Sequence, residues 1–308
     1  MRNTELVGRG LWVVLCALGI VAHAVPTPAA EEIEWYSSVE DAQSAARASG
    51  KPVYFFIFQP SDEACRTMRF TTLRDEKVLA LLGAFECCAI DTELRENRPF
   101  VQKYSWIETE GEVADVEVKI SKLPTNLFMD AGGKELYIRW GYLPAAGFAT
   151  LLEQIIYQDA QRQALERDPK DARAAANLGH VMLELGLSPE IAREHLDQAV
   201  ANDPGNATGA REDATLDLVI LSIPQDPAKA YEALEAFLRM YPDTGRALEV
   251  RYFKAVALAA QDDRAKWQQA LELLRTFKTP DRSRPEFDSP WTPLALGLEA
   301  DLRRVLGR

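Results

Sequence analysis

Six consecutive apolar residues, VYFFIF at positions 53–58, follow Pro52 and precede the polar loop QPSDE at positions 59–63. An apolar run of this length without polar alternation is typical of a strand that is covered on both faces of a sheet. Upstream, residues 40–49 are rich in alanine and are followed by Gly50, which predicts a helix that ends there. The sequence therefore predicts that an α/β domain begins here.

Three further strands and two further helical segments are predicted downstream. The strands are FECCAID (85–91), LPTNLFMD (123–130) and ELYIRWGY (135–142), and the helical patterns cover residues 64–84 and Gly147–Tyr157. A strand–helix–strand order requires a crossover connection, whereas the turn AGGK at 131–134 produces an antiparallel hairpin. The predicted fold is a central mixed sheet flanked by helices.

Residues 35–158 resemble the extracytoplasmic thioredoxin-fold domains. The resemblance rests on Trp35, GKPVYFFIF (50–58), CRTM (65–68), AID (89–91), LPT (123–125) and FMDAGGKEL (128–136). It implies a cis peptide bond before Pro124, beside a groove in which an extended peptide can pair with the backbone. The binding residues that it suggests are Asp62, Leu123, Pro124 and Thr125.

The same resemblance places Cys65 at the second position of a Cys-x-x-Cys motif and Asp62 at the first. In thioredoxin-like enzymes the first cysteine attacks the substrate disulfide, and the helix N-terminus stabilises its thiolate. A carboxylate suits these electrostatics and is a good N-cap, but it cannot form a disulfide. Phe56 and Ser61 also stand where family enzymes commonly have a buried acid and an aromatic residue. The resemblance thus implies a site without its attacking sulfur.

Cys65, Cys87 and Cys88 leave three interpretations open. They are buried structural thiols, or Cys65 is catalytic in a monothiol oxidoreductase, or Cys65 pairs with Cys87 in a disulfide. Strand alternation places Cys87 and Cys88 on opposite faces, and the family pattern directs Cys87 toward the region near Phe56. The spacing contains no paired Cys/His signature, so neither a metal nor a cofactor is expected. His180 and His195, without a recognisable triad partner, are expected to be ordinary helix residues.

The first 24 residues have the organisation of a signal peptide. Arg2 and Arg9 precede the apolar run Leu11–Ala22, and Ala22-His23-Ala24 matches a small-residue cleavage site. An uncleaved anchor and a lipoprotein that uses Cys16 are the alternatives. We expect a linker at 25–34 and an exported protein, periplasmic or extracellular, without a stable membrane span after cleavage.

Residues 159–308 are expected to form an all-α domain built from repeats. Prolines recur at 204, 242 and 280, and each follows a pattern of small and large apolar residues. The pattern is Ala192, Leu196 and Ala199, then Ala230, Leu234 and Phe237, then Ala270, Leu274 and Phe277. With Asn177-Leu178-Gly179 upstream, this resembles degenerate tetratricopeptide (TPR) repeats, and Leu294–Leu306 would be a closing helix.

An insertion at residues 105–120 departs from the thioredoxin-like pattern. It is a surface loop, or a strand or hairpin that contains Val113, Val116 and Val118 and covers the groove. Its acidic residues between Glu108 and Glu117 suit a solvated face, with calcium binding as the alternative. Three aromatic residues near the groove are expected either to flank it or to pack in the core: Trp106, Trp140 and Tyr142.

The net charge of −12 argues against nucleic acid as a partner, because the phosphate backbone would be repelled. The sequence favours a noncatalytic protein-interaction or assembly module that binds protein or peptide through the thioredoxin-like groove and the TPR-like surface. The alternative function is a monothiol thiol-disulfide oxidoreductase that uses Cys65, with or without Cys87.

Overall fold

The computed structural model describes residues 33–104, 107–108, 119–120, 123–278 and 290–307. The expected signal peptide and all but two residues of the expected linker lie outside these ranges. The described chain divides into two compact units after Ala160.

A five-stranded mixed sheet forms the centre of the first unit. Its strands are β1 (Trp35–Tyr36), β2 (Val53–Phe58), β3 (Glu86–Asp91), β6 (Thr125–Met129) and β7 (Glu135–Trp140). They lie in the order β1-β3-β2-β6-β7; β3 is parallel to β1 and β2, whereas β6 is antiparallel to β2 and β7. The mixed sheet predicted from one crossover and one hairpin is confirmed.

Five helices accompany this sheet along the chain. They are α1 (Val39–Ser49), α2 (Glu63–Phe70), α3 (Glu76–Leu82), α4 (Arg98–Tyr104) and α5 (Ala145–Arg167). Gly50 ends α1 with a φ of 76°, as its position after the alanine-rich segment predicts. The segment 64–84 is interrupted by a 3₁₀ turn at Thr72–Arg74, after which the Asp75 side chain caps α3.

Strand β2 is buried on both faces, which explains its unbroken apolar sequence. Val53, Phe55 and Ile57 pack in the cluster that includes Cys88 and Leu127. On the other face, Tyr54 packs against Phe128 and Phe148, with ring centroids 5.1 and 5.6 Å apart. The Tyr54 hydroxyl donates a hydrogen bond to Asn126 Oδ1 at 2.8 Å, so burial leaves this polar group satisfied.

Consecutive helix pairs make up the second unit. The helices are α6 (Ala172–Glu184), α7 (Pro189–Asn202), α8 (Ala210–Ser222), α9 (Pro227–Met240), α10 (Ala247–Ala259), α11 (Arg264–Arg275) and α12 (Trp291–Leu306). The first helices of the pairs begin at residues 172, 210 and 247, and the second at 189, 227 and 264. This regular spacing fits a helical-repeat architecture.

The repeated apolar residues of the sequence pattern are the buried ones. Ala192, Leu196 and Ala199 are inaccessible to solvent, and their counterparts in the next two pairs are buried as well. Pro204 and Pro242 directly follow the C-caps of α7 and α9, whereas Pro280 lies outside the described residues. Helix α12 closes this core through Trp291, whose ring lies 5.6 Å from that of Phe253. None of the helices within the described ranges is both long enough and apolar enough to cross a membrane.

Candidate functional site

Asp62 is the N-cap of α2, as its place before the helix predicts. Its backbone is extended, and its Oδ1 accepts a hydrogen bond from Cys65 N at 2.8 Å. The carboxylate therefore occupies the positive end of the helix dipole and satisfies a backbone N–H that would otherwise lack a partner.

Cys65 is a buried thiol on the first turn of the same helix. Its side chain is only 1% exposed. Burial raises the pKa of Cys65 to about 12, and the nearby Asp62 carboxylate adds to this rise because a thiolate would be a second anion beside it. Cys65 is therefore protonated and inaccessible near neutral pH, whereas a reactive cysteine needs both a thiolate and exposure.

Cys87 and Cys88 are free thiols like Cys65. Cys87 donates to Leu82 O at 3.7 Å, and Cys88 donates to Ser38 O at 3.6 Å. Burial raises the pKa of both thiols, in the case of Cys88 to about 12. The Cys65–Cys87 disulfide considered from the sequence is not formed, and each thiol packs in the interior instead.

Two further positions near α2 differ from those of a dithiol enzyme, as the sequence resemblance predicts. The buried Phe56 ring stacks on Phe58 with centroids 5.2 Å apart, so that position carries no acid. Ser61 donates to Glu93 Oε1 at 3.2 Å on the surface. Phe56 has no ionisable group, and the Ser61 hydroxyl is engaged with Glu93.

The Leu123–Pro124 peptide bond is cis, as the resemblance implies. Pro124 O accepts a hydrogen bond from Gly141 N at 2.7 Å, and Thr125 pairs with Ile57 on one side and with Trp140 on the other. Because β2 runs from Ile57 into the loop that ends at Asp62, Pro124 and Asp62 lie at the same end of the sheet. The structure thus brings the predicted binding residues to one sheet end.

Two large aromatic side chains are exposed beside the cis proline. Trp140 is 41% exposed and Tyr142 is 42% exposed. Both lie at the end of β7 that pairs with the start of β6 or just beyond it, and their exposure contradicts the expectation of core packing. Trp106 lies outside the described residues.

The insertion at 105–120 contains a short antiparallel ladder. Strand β4 (Ile107–Glu108) pairs with β5 (Lys119–Ile120), with Ile107 opposite Ile120. The strand-pair interpretation therefore holds at the ends of the segment. Val113, Val116 and the other residues of 109–118 lie outside the described residues.

A charged network in the helical unit was missed from the sequence. Arg246 binds Glu249 through two hydrogen bonds of 2.7 Å and donates to Asp217 Oδ1 at 2.7 Å. Asp217 Oδ2 lies 2.8 Å from His180 Nδ1. His180 thus has an acidic partner, Asp217, in a charged cluster that is not a catalytic triad. The repeat spacing was the available signal, because His180 and Asp217 are 37 residues apart, close to one repeat step.

Burial and charge attraction compete in this network, and attraction prevails at His180 and Asp217. Burial disfavours charged His180, but attraction and hydrogen bonding to Asp217, together with a hydrogen bond to Glu184, raise its pKa to about 10. Burial likewise opposes ionisation of Asp217, but Arg246 and His180 lower its pKa to about 2. His180 and Asp217 are therefore ionised over the neutral range, whereas burial raises the pKa of Glu249 despite its hydrogen bonds to Arg246. The network joins α6, α8 and the start of α10, the first helices of the three pairs.

No group of three or more His, Cys, Asp or Glu side chains arranged to bind a metal occurs in the described part of the chain. The fold and the cis-proline end of the sheet define the first unit as a thioredoxin-like α/β domain, which is followed in the described chain by the seven helices α6–α12.

The comparison with family models agrees with this class. Residues 39–156 match the family model described as a thioredoxin-like domain. A solved thioredoxin from Thermus thermophilus is 22% identical, with a TM-score of 0.35, and the match covers 45% of this chain and 98% of that one. The oxidised C-terminal domain of DsbD from Neisseria meningitidis is 16% identical, with a TM-score of 0.30, and the match covers 39% of this chain and 98% of that one. The search of curated proteins gave no match.

Proposed function

We propose that this chain is a noncatalytic protein-interaction or assembly module, in which Asp62 has replaced the attacking cysteine of a Cys-x-x-Cys motif. The main support for this proposal is the pair Asp62 and Cys65 at the start of α2. The Asp62 carboxylate caps the helix, and Cys65 is buried with its pKa raised to about 12. A buried, protonated sulfur beside a fixed anion has no means of attacking a disulfide. The same pair gives the monothiol alternative no support.

The proposed binding surface is the sheet end around Pro124. An extended peptide that lies beside a sheet gains backbone hydrogen bonds for affinity and side-chain contacts for specificity. The exposed rings of Trp140 and Tyr142 offer large apolar contact area at low entropic cost, as interface hot spots do. We propose that the TPR-like helix pairs provide a second protein-binding surface.

The catalytic part of the proposal is tested by restoring the sulfur. Wild-type protein should not turn over in an insulin-reduction assay with dithiothreitol, whereas Asp62→Cys should acquire turnover because the helix N-terminus stabilises a thiolate there. The double variant Asp62→Cys/Cys65→Ser is the matched control and should lose that gain. Turnover by wild type that Cys65→Ser abolishes would overturn the noncatalytic assignment.

The binding part is tested by selecting peptides from a displayed library on the wild-type chain. Trp140→Ala/Tyr142→Ala should weaken binding of the selected peptides at least tenfold, since two exposed aromatic contacts are removed. Leu94→Ala is the matched control, because Leu94 is also an exposed apolar residue of the same unit. Equal affinities for the two variants would place the binding surface elsewhere.

We also propose that the chain is exported, on the basis of its basic N-terminus, apolar run and Ala-His-Ala sequence. N-terminal sequencing of the protein secreted by a bacterial host should give a start near Val25. An unprocessed N-terminus in the cytoplasmic fraction would contradict export.

A further inference from the structure

A cleft of about 390 Å³ opens on one face of the thioredoxin-like unit, and it shares no residue with the cis-proline surface. Its floor is formed by Phe56, Phe58 and Ala89, and its wall by Leu73 and Leu79. The volume lies within the range of small-molecule sites, roughly 300–1,000 Å³. These side chains form an apolar surface that can bind a small ligand.

The short edge strand accounts for part of this opening. Strand β1 pairs with Cys87 and Cys88 of β3 and has no ladder partner for Ala89. Ala89 faces the cleft with only a methyl group, and Trp35 borders it. The sheet face is therefore apolar here without being fully covered by other elements of the described chain.

Two guanidinium groups border the cleft, from α2 and from the 3₁₀ turn that follows it. The Arg69 guanidinium carbon lies 5.6 Å from the Phe58 ring centroid and 5.9 Å from that of Phe70. The Arg74 guanidinium carbon lies 5.1 Å from the Phe70 centroid. Both cations are thus held against aromatic rings, which leaves their N–H donors available to a ligand.

Neither Arg69 nor Arg74 forms a salt bridge with any residue that the structure describes. By contrast, Arg246 in the helical unit pairs with three carboxylates, and Arg173 pairs with Asp213. In a chain with a net charge of −12, two adjacent cations over an apolar floor make a local excess of positive charge. They complement an anion, and guanidinium groups bind carboxylates well.

From this juxtaposition we propose that the cleft binds a small amphiphilic monocarboxylate, with its aromatic or aliphatic body on Phe56 and Phe58 and its carboxylate between Arg69 and Arg74. A cation would be repelled by the two guanidinium groups. A small, strongly hydrated anion would leave the apolar floor unused. The site is independent of the proposed peptide surface and of thiol chemistry.

The test uses sodium 4-phenylbutyrate as the probe and follows amide shifts of the ¹⁵N-labelled mature chain during titration. Shifts should concentrate in residues 69–79 and 89–91. The probe should bind at least tenfold more tightly than the neutral 4-phenylbutanol, because only the acid engages the guanidinium groups. Sodium acetate, which lacks the apolar body, should bind at least tenfold more weakly than the probe.

Three variants separate charge from shape. Arg69→Gln/Arg74→Gln should weaken phenylbutyrate binding at least tenfold and remove its advantage over the alcohol. Arg47→Gln, on the surface of α1, is the matched control for net charge and should leave the affinity unchanged within twofold. Ala89→Leu should fill the cleft and weaken both probes while both arginines are retained.

Circular dichroism melts establish that each variant is folded before its affinity is interpreted. Equal affinity for acid and alcohol, equal effects of the Arg47 and Arg69/Arg74 variants, or shifts that concentrate around Trp140 would each overturn the proposal. Because Trp140→Ala/Tyr142→Ala should leave phenylbutyrate binding unchanged, failure of this site and failure of the peptide surface are distinguishable.

Discussion

Asp62 and Cys65 share one hydrogen bond in the first turn of α2, in which Cys65 N donates to the Asp62 carboxylate. The Asp62 carboxylate satisfies a backbone N–H of the helix. After burial, its proximity also raises the pKa of Cys65, because a thiolate would be a second anion beside it. At the scale of single residues, this turn is built for a fixed anion and not for a reactive sulfur.

We predict that Cys65 in the folded protein reacts with iodoacetamide at pH 8 about a thousandfold more slowly than a cysteine in an unfolded peptide. With a pKa of about 12, almost none of it is thiolate at that pH. Mass spectrometry of timed samples, with and without denaturant, measures the rate. Asp62→Asn keeps a helix cap and removes the charge, so it should speed the reaction only modestly. A native rate like that of the peptide would contradict the prediction.

The roles of Asp62 and Cys65 could be predicted from the sequence more readily than the exposure of the aromatic residues at the same end of the sheet. Asp62 three residues before Cys65 at a helix start is a recognisable capping pattern, and burial of the thiol follows from its place in an amphipathic helix. The exposure of Trp140 and Tyr142 was not decided by the sequence. It depends on how the end of β7 pairs with β6, and ELYIRWGY lacks the regular alternation that would fix one face.

The close packing of helices α6 and α7 requires a glycine at position 179. A Cβ atom at this position would lie 2.7 Å from Leu196 Cγ and 2.9 Å from the Ala192 backbone oxygen. Helices α6 and α7 therefore approach too closely for any side chain there, which gives the Leu178-Gly179 signal a physical cause.

Gly179→Ala should lower the free energy of unfolding by about 1–3 kcal/mol, because overpacking outweighs the better helix propensity of alanine. Gly297 is the matched control, since it lies within α12 and a Cβ there would meet nothing within 4 Å. Gly297→Ala should raise the free energy of unfolding by about 0.5–1 kcal/mol. Urea titrations followed by circular dichroism at 222 nm compare the two variants. Effects of the same sign would refute the close-packing explanation.

The presence of the helices and strands could be predicted from the sequence, but the break within one predicted helix could not. The apolar run of β2 and the alanine pattern of α1 predicted both elements to within one residue. The break at Thr71–Asp75 was hidden, because residues 64–84 have an apolar pattern that continues across it. In the third helix pair, Ala270 lies six residues into its helix, whereas Ala230 lies three residues into the second. The shift of one turn keeps the same face buried.

Across the helical unit, Arg246 pairs with acids that belong to different helix pairs. Arg246 neutralises Asp217 of the second pair and Glu249 of the third, and Asp217 in turn binds His180 of the first. All of these side chains except His180, which is 29% exposed, are largely buried. Removal of one partner from such a group leaves an uncompensated buried charge.

Arg246→Met should therefore destabilise the chain by about 3–5 kcal/mol. Arg246→Met/Asp217→Asn/Glu249→Gln removes the unpaired charges as well and should recover most of that loss. Arg304→Met is the control, since Arg304 forms an exposed pair with Asp301 and should cost at most about 1 kcal/mol. Urea unfolding monitored by circular dichroism measures all three. Equal losses for the single and triple variants would show that the charges are not the cause.

His180 should make stability fall as the pH rises. Its pKa is about 10 in the folded state and about 6.5 in the unfolded state, so its contribution is complete below pH 6.5 and is lost as the pH approaches 10. The groups that face it are Asp217, Glu184 and Arg246. We expect the melting temperature to decline between pH 7 and pH 9, and His180→Gln to flatten this decline. An unchanged slope in the variant would contradict the assignment.

The charged network of the helical unit is the feature that was hardest to predict from the sequence. Its members come from three separate helices. Within its own helix, each acid or histidine would be predicted to be an ordinary surface residue. Only the packing of successive pairs makes His180, Asp217 and Arg246 neighbours. The repeat spacing predicts which helices meet, but the ion pairing also depends on the crossing geometry of those helices.

Arg246 also limits how the array can be shortened. Repeat proteins are commonly trimmed one repeat at a time, because each repeat contacts only its neighbours. A truncated chain that ends before residue 246 would retain Asp217 while discarding the guanidinium that balances it. A chain truncated before residue 246 therefore needs a neutral residue at position 217. The three helix pairs are better kept together as one unit when the chain is engineered.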